Sequence, residues 1–323
     1  MSLNSFLSHI KAFLAESGQI AWPLFRIMVP ISIGVKILKE LGVVEILGHA
    51  LQPLMQALGL PGPMGLVWAT AMVTNLYGGM VVFISLVHEY PLTVAQATVL
   101  TSMMLIAHSL PVELKIAQKA GARLLAMTVL RIGSAILYGF LLSHFLYITK
   151  LLLRPNILTW TTQVKETTWG QWALGEVRNL VMIFFIIVAL VILMKVLDRI
   201  GVIALLTRAL RPLASLVGIG CNAIPLTIVG LTMGLAYGGG LIIKEAAAQS
   251  ISKKDIVFSL SFLSLCHGLI EDSLLMWALG GNLAGILAGR LLFTLALMYV
   301  LVKVTSRFSK EHFERYFFVS SRP

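Results

Sequence analysis

Hydrophobic positions along the chain fall into long, almost unbroken runs at about 18–38, 63–87, 93–112, 124–149, 179–194, 222–243, 256–279 and 283–302. Several approach the roughly 20 residues that a helix needs to cross the hydrocarbon of a bilayer. Two segments between them differ. In 41–58, Leu41, Val44, Leu47, Leu51, Leu54 and Leu58 keep helical spacing while Glu45, His49, Gln52 and Gln56 take other positions. The segment 200–217 has the same character, and each contains a proline, Pro53 or Pro212. Both predict interfacial helices rather than crossings. Residues 1–17 set Leu3, Phe6, Leu7, Ile10, Phe13 and Leu14 opposite Asn4, Ser5, His9 and Lys11, which predicts an amphipathic helix on the membrane surface and not a cleavable signal.

The pattern repeats. At an offset of 159, Lys36, Leu38, Gly42, Val43, Leu47, Ala50, Leu51, Pro53, Leu54 and Gly59 recur as Lys195, Leu197, Gly201, Val202, Leu206, Ala209, Leu210, Pro212, Leu213 and Gly218. With one residue inserted, Tyr77-Gly78-Gly79 recurs as Tyr237-Gly238-Gly239; His108, Leu110, Gly121 and Arg131 then recur as His267, Leu269, Gly280 and Arg290, with Glu113 facing Asp272. Self-similarity of this extent marks a tandem duplication. The expected organisation is an interfacial helix at 1–17, repeats at 18–150 and 177–305, a Trp-bearing interfacial linker at 151–176 (Trp160, Trp169, Trp172), and a basic cytoplasmic tail at 306–323.

Loop charge sets the orientation of the copies, because Lys and Arg concentrate on the cytoplasmic side. The stretch 113–123 has three basic residues and its counterpart 272–282 none, whereas 87–92 has none and 244–254 has three. The segment 39–60 has one and 198–219 has three. These inequalities fit two copies in opposite orientations. They also put both ends of 63–87 outside and both ends of 222–243 inside, so neither run is a simple crossing. Each is interrupted by a Gly-rich stretch, Asn75-Leu76-Tyr77-Gly78-Gly79 or Ala236-Tyr237-Gly238-Gly239-Gly240. Half-helices of about 10 residues reach only ~15 Å, half the hydrocarbon thickness, and read as re-entrant hairpins. The linker runs against the rule, carrying Lys150, Arg154 and Lys165 on the outside. The expected fold is an all-α polytopic membrane protein of two inverted repeats, each with a surface helix, a re-entrant hairpin and three crossings.

Composition agrees. At 58% hydrophobic, 12% charged and a mean hydropathy of +0.91, the chain is not a soluble enzyme, a disordered chain or a coiled coil. The formal charge of +11 reads as loop bias rather than nucleic-acid binding, since the basic residues sit between apolar runs. Cys221 and Cys266 show no metal-type pairing.

This order of elements, with helices interrupted near His108-Ser109-Leu110-Pro111 and His267-Gly268-Leu269-Ile270, resembles the Gate, or nucleoside-recognition, domain. It is similar to the membrane parts of concentrative nucleoside transporters, spore maturation membrane proteins and ferrous-iron transporters. The resemblance covers both copies and implies architecture more than substrate. The iron transporters carry a cysteine at the hairpin break, where this chain has Asn75 and Ala236.

Broken backbone inside a membrane persists only where protein or a water-filled cavity satisfies its polar groups, and in inverted-repeat transporters such breaks line the site. Asn75, Tyr77, Gly78, Gly79, Tyr237, Gly238 and Gly239 are therefore candidates, against the alternative that the glycines are close-packing contacts. His108 and His267 fall mid-helix, each followed by a break (Pro111, Gly268) and by acids: Glu113 in one copy, Glu271 and Asp272 in the other. A histidine with a carboxylate nearby relays protons, holds a cation or hydrogen-bonds a hydroxyl. The competing reading is internal salt bridges, Glu113 with Arg131 and Asp272 with Arg290, 18 residues apart in each copy. No GxSxG elbow or HExxH pair supports hydrolysis, and an enzyme is not expected. The reading is a transporter of a small polar solute, nucleoside-like by resemblance, without a cofactor and coupled to a proton or sodium gradient. A divalent-metal transporter is the first alternative and a non-transporting scaffold the second. The expected setting is the cell membrane, with both termini cytoplasmic. Expected partners are a small-molecule solute and the lipid bilayer, not nucleic acid; association into a homo-oligomer is left open.

Overall fold

The computed structural model describes residues 3–161 and 168–319, with side chains described from Gly18 onward except at Ile20, Met233, Ala236 and Tyr237. Lys165 and Arg322 lie outside the described residues. Among the described residues, six helical stretches are long and apolar enough to cross a membrane: Ala21–Glu40, Val94–Lys119, Leu124–Thr149, Trp169–Arg199, Lys253–Ala278 and Ala284–Thr305. The protein is an all-α polytopic membrane protein. In their most apolar windows Val94–Lys119 and Lys253–Ala278 are 78% and 83% buried, whereas the other four are 17–33% buried. The second and fifth crossings form the core, and the rest turn apolar side chains outward, as a lipid solvent permits.

Helix α1 runs Leu3–Glu40 as one element. The expected boundary after residue 17 is not a break in the backbone. Gly18 stands there, and a single glycine inside a helix costs only about 1 kcal/mol, too little to interrupt a run of this length. Gly42, at φ 67, ends α1 and starts α2 (Val43–Ala57), the amphipathic helix expected there. The break in 63–87 separates α3 (Met64–Val73) from α4 (Leu76–Val87). The second crossing is divided into α5 (Val94–Ile106), which starts with a Thr93–Gln96 capping box, and α6 (Leu110–Lys119). The third is α7 (Leu124–Thr149).

The second copy repeats this plan: α8 (Trp169–Arg199), α9 (Val202–Leu216), α10 (Ile224–Met233), α11 (Leu235–Ala247), α12 (Lys253–Cys266) and α13 (Glu271–Ala278). A π-helical segment, Ala284–Gly289, then leads into α14 (Arg290–Thr305). The repeated glycines hold the turns. Gly42 and Gly201, Gly59 and Gly218, and Gly121 and Gly280 all have positive φ, a conformation that excludes most side chains.

Hydrogen bonds show which ends lie together. At one end, Val94 N donates to Arg154 O and Asn156 N to Leu92 O, both at 2.9 Å. Asn156 Nδ2 reaches Leu279 O at 2.9 Å, and Trp160 Nε1 reaches Ala278 O at 3.0 Å. Residues 151–161 of the linker thus tie the start of α5 to the end of α13. At the other end α15 (Lys310–Phe317) folds back: Arg123 N donates to Phe317 O at 2.8 Å, and Lys253 pairs with Glu314 at 2.8 Å. The expected tail is therefore a docked helix, anchored by Phe313 at 1% exposure. Consequently α5–α6 and α12–α13 run antiparallel. Gln96 Nε2 donates to Gly59 O, which sets the entry of the α3–α4 hairpin beside the start of α5. Gly220 N donates to Asp255 Oδ1, which sets the entry of the α10–α11 hairpin beside the start of α12.

Candidate functional site

The hairpin turns are built from ordinary local chemistry. Thr74 Oγ1 donates to Thr70 O at 2.6 Å, and Asn75 Oδ1 accepts from Gly78 N at 2.9 Å, so Asn75 is the N-cap of α4. In the second hairpin the turn is Gly234, at φ 92 and ψ 163, a region that only glycine enters easily. The breaks thus precede the YGG units, which lie in the first turns of α4 and α11 and not at the interruptions expected for them. A Cβ on Gly79 would lie 2.7 Å from both Ala71 Cβ and Met104 Cε, and one on Gly78 would strike Thr74 Oγ1. One on Gly238 would strike Gly230 Cα, and one on Gly239 would strike Ile116 Cγ2 of the other copy's α6. These four glycines let helices touch. The side chain of Tyr237 lies outside the described residues.

Helix breaks in the two core crossings face one another. Ser109, at φ 48, and Gly268, at φ 59, turn the backbone just after His108 and His267. The same tie fixes each break to its own hairpin: Ser109 N donates to Ala71 O, and Leu269 N to Leu231 O. This brings the rings of His108 and His267 to 5.0 Å between centroids. Glu113, one turn into α6, completes the group. The separations His108 Nε2–Glu113 Oε1, His267 Nε2–Glu113 Oε1 and His108 Nε2–His267 Nε2 are all 3.3 Å. The three residues are buried, at 5%, 8% and 4% exposure for His108, Glu113 and His267.

Protons can be assigned from the outer nitrogens. His108 Nδ1 lies 2.9 Å from Met104 O and His267 Nδ1 lies 2.8 Å from Leu263 O. A carbonyl oxygen only accepts, so each Nδ1 carries a hydrogen, and each ring in its neutral form turns its Nε2 lone pair inward. With both rings neutral, two imidazole lone pairs and a carboxylate oxygen converge with no donor between them. Such a cluster of acceptors is stabilised by a shared cation.

Arg131, fully buried on α7, holds the rest of the arrangement. Its NH1 pairs with Glu113 Oε2 at 2.5 Å, leaving Oε1 to the histidines. Its Nε and NH2 donate to Ile106 O at 3.1 Å and His108 O at 3.0 Å, carbonyls that the break leaves without helical partners. The Glu113–Arg131 ion pair expected from the sequence is formed, and its carboxylate has a second role that the pairing alone did not suggest.

The other copy departs from this pattern. Among the described residues no ion pair joins Asp272 to Arg290, contrary to the equal spacing in sequence. Arg290 NH2 reaches Ser273 Oγ at 3.2 Å instead. Arg290 follows the π-helical segment, whereas Arg131 lies in regular α-helix, and the changed winding alters the direction in which its side chain leaves. Tyr138 donates to Gly285 O of that segment at 2.6 Å. Asp272 lays its carboxylate over Gly268, where a Cβ would strike Oδ2, Tyr77 of the first hairpin is half-buried against the core, and Glu271 lies outside the His–Glu–His cluster.

Residues 21–123 match the family model described as Gate, nucleoside recognition. The first copy is therefore similar to a Gate domain. The match runs from the first crossing to the end of α6 and includes Asn75, His108 and Glu113. The chain is also 27% identical over 272 residues to an uncharacterized membrane protein, YvoD, of Bacillus subtilis (strain 168), covering 83% of this chain and 86% of that one. No solved structure matches it significantly.

Proposed function

We propose that this protein is a transporter of a small polar solute, nucleoside-like in keeping with the family description, coupled to a cation held by His108, Glu113 and His267. The buried meeting of the two broken helices carries this reading, because interrupted core helices bearing ionisable groups mark substrate and ion pathways in membranes. The two halves act as inverted Gate repeats. Their hairpins are re-entrant and approach from opposite faces of the cell membrane, with the termini cytoplasmic. Three features support this: the core crossings run antiparallel, the entries of the hairpins lie beside opposite ends of the core, and hairpin arms of 10–13 residues are too short to span. His108 and Glu113 belong to one half and His267 to the other. A cation between them couples rocking of one half against the other.

The donor set narrows the ion. Sodium, a hard cation, prefers oxygen ligands, whereas imidazole nitrogen suits a proton or a transition metal. The equality of the three 3.3 Å separations favours a second reading, in which a divalent metal is itself the cargo.

Uptake into vesicles reconstituted with the purified protein tests the proposal. A panel of labelled nucleosides is offered under an imposed proton or sodium gradient. The expected result is gradient-dependent uptake of one class, lost in Glu113→Gln and His267→Gln at matched insertion. Uptake of no nucleoside and of no metal would leave the scaffold reading.

A further inference from the structure

We infer that His108, Glu113 and His267 form a three-ligand site for a divalent transition metal of the Zn²⁺ class, at which the two halves of the protein share one ion. This inference rests on the reading that the cluster is a cation site, and it names the ion. The geometry is the first argument. Around a tetrahedral metal with ligands at about 2.0–2.1 Å, neighbouring ligand atoms stand about 3.3–3.4 Å apart. Nε2 of His108, Nε2 of His267 and Oε1 of Glu113 are pairwise 3.3 Å apart. They occupy three corners of such a tetrahedron.

The surroundings match what a metal needs of its ligands. Each histidine turns Nε2 to the centre, free to ligate when the ring is neutral, while its Nδ1–H is held by a backbone carbonyl, Met104 O or Leu263 O, the partner that commonly orients ligating histidines. Arg131 holds Glu113 by Oε2, which keeps the other oxygen turned to the centre and the carboxylate deprotonated, as a ligand requires. Two nitrogens and one oxygen suit Zn²⁺, Mn²⁺ or Fe²⁺, whereas Mg²⁺ and Ca²⁺ call for oxygen alone.

The fourth corner is not supplied by the neighbouring thiol. Cys266 is buried and turns its sulfur to Thr294 instead. Structural zinc sites close all four positions with protein ligands, while sites with three keep one for an exchanging group. A site of this kind suits an ion that enters and leaves. It also explains why the ligands come from both copies: separating the halves would pull His267 from Glu113 and release the metal.

The test is metal binding by the full chain in detergent, stripped of metal and titrated with Zn²⁺ and Co²⁺, with Mg²⁺ as the hard-ion control. One equivalent of Zn²⁺ is expected, together with the intense visible bands of tetrahedral Co²⁺ and no response to Mg²⁺. Glu113→Gln and His267→Gln should each bind at least tenfold more weakly. His144→Gln, at an exposed histidine outside the cluster, should bind as the wild type does. His267→Cys, which replaces one ligand by another, should retain binding and so separates loss of a ligand from loss of fold. Absence of stoichiometric binding by folded wild type, or equal binding by Glu113→Gln, would overturn the site. Solute uptake without metal binding would remove the metal and keep the transporter. Metal binding without uptake of metal or solute would keep the site and remove the transporter.

Discussion

Glu113 and Arg131 are buried opposite charges whose net worth to stability is small, yet removal of one leaves the other stranded. Arg131→Met is therefore expected to destabilise the protein by about 3–5 kcal/mol, the scale for breaking a buried pair. Arg131→Met combined with Glu113→Gln should recover part of that loss, although the carbonyls of Ile106 and His108 would still lack their donor. Thermal unfolding of the single and double variants in detergent checks the ordering. Asn75 makes a different case. Its oxygen caps α4, so Asn75→Ala should lower stability by about 1 kcal/mol, the usual effect of losing a cap. If thermal stability is unchanged while binding of a transported solute weakens, Asn75 is a substrate contact instead. At this scale the histidines were legible because they recur at one offset, and Glu113 because it has an arginine 18 residues on. The inward direction of the Nε2 atoms was not legible, since it depends on carbonyls at Met104 and Leu263.

At the scale of elements, the hairpins are where local sequence misleads. A YGG unit signals broken backbone, but the chain turns earlier, where Asn75 can cap and Gly234 can take a positive φ. The glycines then serve close contact between the hairpin arms and with the core helices α5 and α6. Gly79→Leu and Gly239→Leu should force helices apart, at a cost of about 1–3 kcal/mol for overpacking. Both variants should show lower unfolding temperatures in detergent, before any transport is measured. Normal stability in both, with uptake abolished, would instead mean that these positions face a substrate. The core breaks were more readable. Pro111 and Gly268 announce them, and Ser109 and Gly268 carry the left-handed turns. The π-helical segment before Arg290 had no comparable signal, and it separates an arginine from the acid that sequence symmetry assigns to it.

For the molecule as a whole, the arrangement of loop contacts makes a topological prediction. The turn after α4 lies with the linker, and the turn before α12 lies with α15, at the other end of the core. Cysteines placed at His88 and Ser250, in a background lacking the exposed Cys221, should react with a membrane-impermeant reagent from opposite sides. Labelling of both from one side would remove the inverted arrangement. The same contacts account for the basic linker. Its residues 151–161 are held by hydrogen bonds to Leu92, Val94, Ala278 and Leu279, so packing, and not charge alone, decides which end they occupy.

The sequence by itself determined the membrane setting, the duplication, the six crossings and the positions of the core interruptions. Hydrophobic run length and self-similarity are properties of the linear sequence, so they can be read before any packing is known. Only the tertiary structure decided what the interruptions contain. A cluster in which residues 108 and 113 meet residue 267 depends on two helices passing at one depth, and no spacing along the chain specifies that depth. It follows from antiparallel packing of the two core crossings. His108 and His267 each stand just before the break of their crossing, and antiparallel packing brings those breaks together at the centre.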